Sequence, residues 1–192
     1  MVGAMAEIAK QTEEDDLVIT ARTDAEALGQ LYDLYYDQIF RFCVHRLFSK
    51  AIAEDVTSSV FLTVARSIRN FKGRSEKEFR NWLYAIAANE ANACIRKTSR
   101  RKHLLAEAAA SMTKCCTNST EDSDELNWPM LYAAILKLKP EHQTIVTLRF
   151  FENMEFEGIG RIINAKPATV RVTLHRILKQ LRNHLQTILD GE

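Results

Sequence analysis

The sequence predicts an all-α protein with two helical domains. Apolar residues recur at helical spacing along most of the 192 residues, and no stretch alternates apolar and polar side chains as a half-buried strand would. The helical pattern fades between residues 103 and 126, where Ala, Ser, Thr, Cys and acidic residues predominate. We therefore expect one domain over residues 23–102, a flexible linker over 103–126 and a second domain over 127–188.

Capping signals and apolar stripes predict three helices in the first domain. Thr23 to Glu26 form a capping-box pattern, and the helix that follows carries an inward stripe of Leu28, Leu31, Leu34, Tyr35, Ile39 and Phe42. A second helix carries a stripe of Val56, Val60, Val64 and Ile68. Gly73 interrupts the pattern, and a second capping box, Ser75 to Glu78, begins a helix with an inward side of Phe79, Trp82, Leu83 and Ile86.

The second domain contains a pattern typical of a helix-turn-helix. A short amphipathic helix carries Phe156, Ile159, Ile162 and Ile163. Asn164 to Lys166 can form a tight turn because Asn tolerates a left-handed backbone, and Pro167 suits the first position of the next helix. That longer helix has an inward stripe of Leu174, Ile177, Leu178, Leu181, Leu185 and Ile188. Two helices joined by such a turn commonly enter the DNA major groove.

The charge pattern of the longer helix supports DNA binding, although the net charge of the chain is only +1. Residues 158–189 contain six Lys/Arg and no acid. The face opposite the stripe presents Thr169, Val172, Arg176, Lys179 and Asn183, flanked by Arg171 and His175. Arg176 can pair with guanine, and Val172 can meet a thymine methyl group. The alternative is a surface helix with an accidental charge bias, but the turn, the proline and the acid-free run together favour DNA.

A second basic segment lies in the first domain. Residues 69–102 contain ten Lys/Arg and three Glu, a net charge of +7, together with several aromatic residues. Phosphate attraction and aromatic stacking are the ingredients of single-strand binding. Phe79 and Trp82 lie on the helical stripe and are expected in the core, whereas Phe71, in the Gly-containing loop, is expected to be less constrained.

Membrane, metal and catalytic functions are disfavoured. No stretch approaches the roughly 18 to 20 apolar residues of a membrane span, and the N-terminus lacks a signal pattern, so we expect a cytoplasmic protein without membrane insertion. Cys43 and Cys94 are expected to be buried thiols. Cys115 and Cys116, with His103 nearby, could bind a metal, but a plain linker is favoured. We predict no metal or other cofactor, no catalytic residues and no enzymatic activity, because the common catalytic motifs do not occur.

Both domains resemble a known family. Four short motifs occur in the family's order, namely "AEDV" followed by "VFL", "F-x-x-WLYAIA-x-N", "L-K-P-E-H-Q" and "TVRVTLHR". Residues 31–97 resemble region 2 of the extracytoplasmic-function (ECF) class of bacterial sigma-70 family sigma factors, and residues 131–182 resemble region 4. The resemblance implies a dissociable initiation subunit that docks on core RNA polymerase, recognises the minus-10 and minus-35 promoter elements and helps to open the duplex. It also implies a role in a stress or envelope response.

The resemblance assigns roles to particular residues. Polymerase docking falls on the second helix, with Asp55, Val56, Ser59 and Phe61, and Ser59 stands where the family usually has an acid. The segment Asn70–Lys77, here called the minus-10 loop, corresponds to the family's minus-10 reading loop, and the helix after it lies along promoter DNA. The residues assigned to the minus-10 element are Asn70, Phe71, Lys72, Arg74, Arg80, Trp82, Asn89, Arg96 and Lys97. Those assigned to the minus-35 element are Lys166, Thr169, Arg171, Val172, His175, Arg176 and Lys179.

The implied partners are core RNA polymerase, promoter DNA and, as for many relatives, an anti-sigma factor. The alternative is a conventional helix-turn-helix regulator that binds duplex DNA without acting as a polymerase subunit. A sigma factor directs transcription only together with core polymerase, so a transcription assay with purified components distinguishes the two.

Overall fold

The structure, a computed structural model, describes the backbone of residues 12–109 and 128–189 and the side chains of residues 12–98 and 131–187. Within these ranges the regular elements are all helical, as predicted. In chain order they are α1 (described over residues 12–20), α2 (Ala25–Leu47), α3 (Lys50–Ser67), α4 (Glu76–Ala109), α5 (Trp128–Leu136), α6 (Pro140–Val146), α7 (Phe156–Ile162) and α8 (Pro167–Leu189). A 3-10 turn (Ile68–Asn70) follows α3, and a π-helical turn (Thr147–Phe151) extends α6.

The N-terminal block, α1 to α4, begins before the predicted domain start at residue 23. Val18 and Ala21, in and just after α1, are buried in the same core as the stripe of α2. Asp24, rather than Thr23, caps α2 by accepting a hydrogen bond from the Glu26 N–H. At the other end, α4 continues to Ala109, into the predicted linker, and the rest of that linker lies outside the described residues.

Most residues of the predicted stripes are buried, with two clear exceptions. The stripe of α3 and the 3-10 turn is buried at all four positions, Val56, Val60, Val64 and Ile68. The predictions for Leu34 and Leu178 are wrong, because these side chains are 43% and 42% exposed. Each is the immediate neighbour of a buried stripe residue, and a step of one residue turns a helix by about 100°, away from the core.

Cys43 is buried as predicted, and burial raises the pKa of its thiol to about 11, whereas Cys94 is half-buried. Cys115, Cys116 and the side chain of His103 lie outside the described residues. Among the side chains that are described, no group of three or more His, Cys, Asp or Glu could hold a metal ion. None of the helices over residues 12–109 and 128–189 is long and apolar enough to span a bilayer.

The C-terminal block, α5 to α8, packs directly on the N-terminal block through α2 and α4. At the centre of the contact is Arg46 of α2, which is only 1% exposed. Its guanidinium donates hydrogen bonds to Asn92 Oδ1 (2.6 Å), the Pro140 carbonyl oxygen (2.7 Å), Gln143 Oε1 and Thr144 Oγ1 (3.3 Å). Burial lowers the pKa of Arg46 to about 10, so the side chain remains charged at neutral pH. The "L-K-P-E-H-Q" motif thus supplies acceptors for a charge buried between the blocks.

Candidate nucleic-acid and polymerase interfaces

The helix-turn-helix of α7 and α8 has the predicted turn. Asn164 has a left-handed backbone with φ of 54°, and α8 begins at Pro167, which confirms both predictions. The Ala165 N–H donates a hydrogen bond of 2.8 Å to the Gly160 carbonyl oxygen. A Cβ added at Gly160 would lie 2.5 Å from the Ala165 carbonyl oxygen, so the turn can close on α7 only because residue 160 has no side chain.

The outward face of α8 is open to solvent. All seven residues assigned to the minus-35 element are exposed, namely Lys166, Thr169, Arg171, Val172, His175, Arg176 and Lys179. Val172 is 52% exposed and lies among these polar and basic side chains. The Arg171 guanidinium lies 5.0 Å from the Phe156 ring centroid, which joins the start of this face to α7. The geometry therefore offers cations and one apolar contact to a groove.

The minus-10 loop is more ordered by its neighbours than the sequence predicted. Phe71 is half-buried, and its ring centroid lies 4.8 Å from that of Trp82 and 5.9 Å from that of Phe79. The prediction that Phe71 is the less constrained aromatic residue is therefore wrong, because the side chain packs on the α4 stripe. Phe79 is buried as predicted, and Trp82 is half-buried. The exposed members of the loop include Asn70, Lys72 and Arg74.

The second capping box holds the end of this loop. Ser75 Oγ accepts a hydrogen bond of 3.3 Å from the Glu78 N–H, which confirms the predicted helix start. In the usual capping box, the Glu side chain also accepts a hydrogen bond from the backbone N–H of the N-cap residue. Here Glu78 Oε2 instead accepts from the N–H of Arg74, the residue before Ser75, at 2.8 Å. This backbone hydrogen bond holds the pKa of Glu78 below its ordinary value.

Along α4 the predicted DNA-contacting residues have two different environments. Asn89, Arg96 and Lys97 are exposed. Arg80 is half-buried in a cleft between the blocks, whose lining also includes Glu155 of the C-terminal block. In this arrangement of the blocks, Arg80 is therefore less accessible to a DNA strand than the residues further along α4.

Close to Arg80, a carboxylate of the C-terminal block is buried against the N-terminal block. Glu152 Oε2 accepts a hydrogen bond of 2.7 Å from the Tyr84 hydroxyl and lies 4.0 Å from Arg41 Nη2, while Glu152 Oε1 is buried without a hydrogen-bond partner. Burial raises the pKa of Glu152, against the opposing effects of the Tyr84 hydrogen bond and of the charges of Arg41 and Arg80.

The docking residues on α3 do not all share one surface. Asp55 and Ser59 are exposed, and the Ser59 hydroxyl donates a hydrogen bond of 3.0 Å to the Asp55 carbonyl oxygen. Val56 is only 7% exposed and belongs to the core, so in this structure it offers a partner little surface. Phe61 is half-buried, with its ring centroid 4.7 Å from that of Tyr32 on α2.

Several residues of these surfaces were missed by sequence reasoning. Tyr32 and Tyr36 form an aromatic cluster with Phe61, and their spacing of four residues on one helix was the available signal. Arg46 and Glu152 gave no such signal, since a charged residue in an amphipathic pattern is ordinarily read as exposed.

Comparison with known proteins decides the family. The profile of sigma-70 region 2 matches residues 31–101, and that of sigma-70 region 4 matches residues 129–181. The RNA polymerase sigma factor CarQ of Myxococcus xanthus is 31% identical, over 83% of this chain and 90% of that protein. The ECF RNA polymerase sigma factor BldN of Streptomyces coelicolor is also 31% identical, over 82% of this chain but only 60% of that protein. The chain belongs to the ECF class of sigma-70 family sigma factors.

The fold of this sigma factor agrees with that of solved relatives. The sigma factor RpoE from Bartonella quintana, solved in complex with the anti-sigma factor NepR, superposes with a TM-score of 0.60 at 16% identity. The similarity covers 82% of this chain and 96% of RpoE. Because regions 2 and 4 both match and occur in this order, the comparison favours a sigma factor over a conventional helix-turn-helix regulator.

Proposed function

We propose that this sigma factor directs core RNA polymerase to promoters and reads the minus-35 element with the outward face of α8. The observation that carries the assignment is the exposure of all seven predicted contact residues: Lys166 lies just before α8, and the other six lie on this helix, which has no carboxylate from Pro167 to Leu189. Phosphates attract such a face without opposing repulsion. In this proposal Arg176 pairs with a base, Val172 meets a thymine methyl group, and Lys179 contacts the DNA backbone.

The minus-10 element is assigned to the minus-10 loop and to α4. Exposed polar and basic side chains are available for the opened strand at Asn70, Lys72, Arg74, Asn89, Arg96 and Lys97. Phe71 and Trp82 act as supports of the loop in this proposal, because their rings already pack against one another. Arg80 contributes to DNA binding only when the C-terminal block moves away from it.

Polymerase docking is assigned to the exposed side of α3 and its aromatic neighbours. Asp55 and Ser59 supply polar groups, and Phe61 with Tyr32 supplies an apolar surface that is 42% exposed at Tyr32. An anti-sigma factor is a further expected partner, and RpoE of Bartonella quintana is an example of a sigma factor solved with one. We propose a regulatory DNA-binding role without catalysis.

The decisive experiment is transcription in vitro with purified core polymerase, this protein and a promoter library. We expect specific transcripts only when both proteins are present. Asp55→Arg should reduce core binding in a pull-down without DNA, because it reverses a charge on the docking helix, while Arg176→Ala should leave core binding unchanged. Tight duplex binding by the protein alone, with no transcripts that depend on it, would instead support a conventional regulator.

A further inference from the structure

The segment that precedes α2 contacts the minus-10 loop at two points. Residues 12–24, here called the N-terminal arm, lie before the region 2 match, which begins at residue 31. Asp15 Oδ1 accepts a hydrogen bond of 2.6 Å from the Glu76 backbone N–H. Arg22 Nη2 donates a hydrogen bond to the carbonyl oxygen of Gly73. Both contacts are made to backbone groups of the loop, so they act on its path and not on one side chain.

The N-terminal arm is itself firmly placed. Val18 is fully buried and Ala21 is 3% exposed, both in the core of the N-terminal block. The turn between α1 and α2 is closed by the Asp24 N–H, which donates a hydrogen bond of 3.0 Å to the Thr20 carbonyl oxygen. Arg22 lies within this turn, so its guanidinium extends from a fixed backbone.

Arg22 also holds the aromatic support of the loop. Its guanidinium carbon lies 5.7 Å from the Phe71 ring centroid, a distance at which a cation is attracted to the ring. A Cβ added at Gly73 would overlap with Phe71 Cζ, so the loop backbone passes directly against this ring. One side chain of the N-terminal arm therefore contacts both the loop carbonyl and the ring beneath the loop.

We propose that Asp15 and Arg22 are positioning residues for promoter recognition. They fix the backbone of the minus-10 loop so that Asn70, Lys72 and Arg74 meet the promoter strand in a preformed arrangement. A preformed loop loses less conformational freedom on binding than a free one, and affinity for the strand rises accordingly. The inference rests on the proposed reading role of the loop, and neither positioning residue needs to touch DNA.

The test uses holoenzyme reconstituted from the full chain and core polymerase. Two probes come from a promoter selected with the wild-type holoenzyme: a single strand with the minus-10 element and a duplex with only the minus-35 element. Arg22→Ala removes a charge-assisted hydrogen bond and the ring contact, and should weaken single-strand binding about tenfold. Arg22→Lys keeps the charge and one donor but not the planar group, and should give an intermediate loss.

Variants of Asp15 separate the hydrogen bond from the charge. Asp15→Ala should weaken single-strand binding, whereas Asp15→Asn, which keeps an acceptor oxygen, should restore most of it. Asp16→Ala is the matched control, because it removes the same charge from an exposed neighbour on α1 and should have no effect. Core affinity and capture of the minus-35 duplex should stay within about twofold for every variant.

Three results would overturn the inference. A parallel loss of core affinity, duplex capture and single-strand binding in Arg22→Ala and Arg22→Lys would mean that the N-terminal arm only stabilises the fold. Unchanged single-strand binding in Arg22→Ala, with clear losses in Lys72→Ala and Arg74→Ala, would disprove the positioning role and leave the proposed function intact. No loss in any of these variants would instead contradict the reading role of the loop, and the positioning role with it.

Discussion

The two surfaces that we propose to read DNA in this sigma factor are built in different ways. On α8 the reading side chains follow from the helix itself, because a helix that buries Leu174, Ile177 and Leu181 must expose the residues on its other side. The minus-10 loop has no internal periodicity, and it is held by the packing of Phe71 against Trp82 and by the hydrogen bond from Arg22. One surface is thus a property of a short segment, and the other is a product of tertiary contacts.

The surfaces also differ in what covers them. The outward face of α8 is exposed at every predicted position, whereas Arg80 on α4 is half-buried against the C-terminal block. The position of the C-terminal block therefore controls access to part of the surface on the other block. Variants that impair one of the two surfaces and leave the other intact can test this difference.

The largest expected effect comes from Arg46→Ala. The substitution removes the donor of four hydrogen bonds at the contact between the blocks, those to the buried Gln143 and Thr144 among them, and we expect a loss of about 3 kcal/mol or more in the free energy of unfolding. Urea unfolding measures this loss. Arg66→Ala, at an exposed position of α3, is the control and should change stability by about 0.5 kcal/mol at most. An equally small change in Arg46→Ala would show that the described contact between the blocks is not maintained in solution.

Gly160→Ala should impair the α8 surface and leave the minus-10 loop intact. The added Cβ would lie 2.5 Å from the Ala165 carbonyl oxygen, so the turn must shift, at a cost of about 1–3 kcal/mol. Capture of the minus-35 duplex should fall while single-strand binding is unchanged. Gly29→Ala is the matched control, because nothing lies within 4 Å of its added Cβ, and in a helix it should stabilise by about 0.5–1 kcal/mol. Loss of both binding activities in Gly160→Ala would contradict the separation of the surfaces.

A finer test compares two cations on α8. Arg176→Ala should cost about 1–3 kcal/mol of discrimination at a single base pair, because it removes a base contact. Lys179→Ala should weaken binding to all sequences alike and reduce the slope of affinity against salt by about one. Competition binding with a set of singly substituted duplexes at several salt concentrations measures both. If the two variants behave identically, α8 attracts DNA by charge without reading bases.

The smallest expected effect concerns the pH dependence of the contact between the blocks. Burial raises the pKa of Glu152 above its ordinary value near 4.5. A group whose folded pKa is raised stabilises the folded state fully below the unfolded pKa, and this contribution is lost as pH rises through the folded pKa. Urea unfolding from pH 4 to pH 7 should therefore show wild type losing stability relative to Glu152→Gln, which cannot ionise. A relative gain by wild type would mean that pairing with Arg41 outweighs burial.

Sequence reasoning was accurate where structure is local. The left-handed Asn164, the helix start at Pro167 and the exposed side of α8 all depend on residues within a few positions of one another. It failed where two adjacent apolar residues compete for one buried position, as with Leu34 beside Tyr35. At Val56, the docking role implied by the family falls on a side chain that the core also requires.

The sequence by itself determined the helical class, the turn of the helix-turn-helix and the side of α8 that is exposed, because helical periodicity and capping are set by neighbouring residues. Only the tertiary structure decided that Phe71 is packed, that Arg46 is buried between the blocks and that Arg22 holds the minus-10 loop. The contacts of Arg22 and Arg46 join residues that are far apart in the chain, 51 positions for Arg22 and Gly73 and 98 for Arg46 and Thr144. No local pattern encodes such a pairing, since it exists only once the helices have packed.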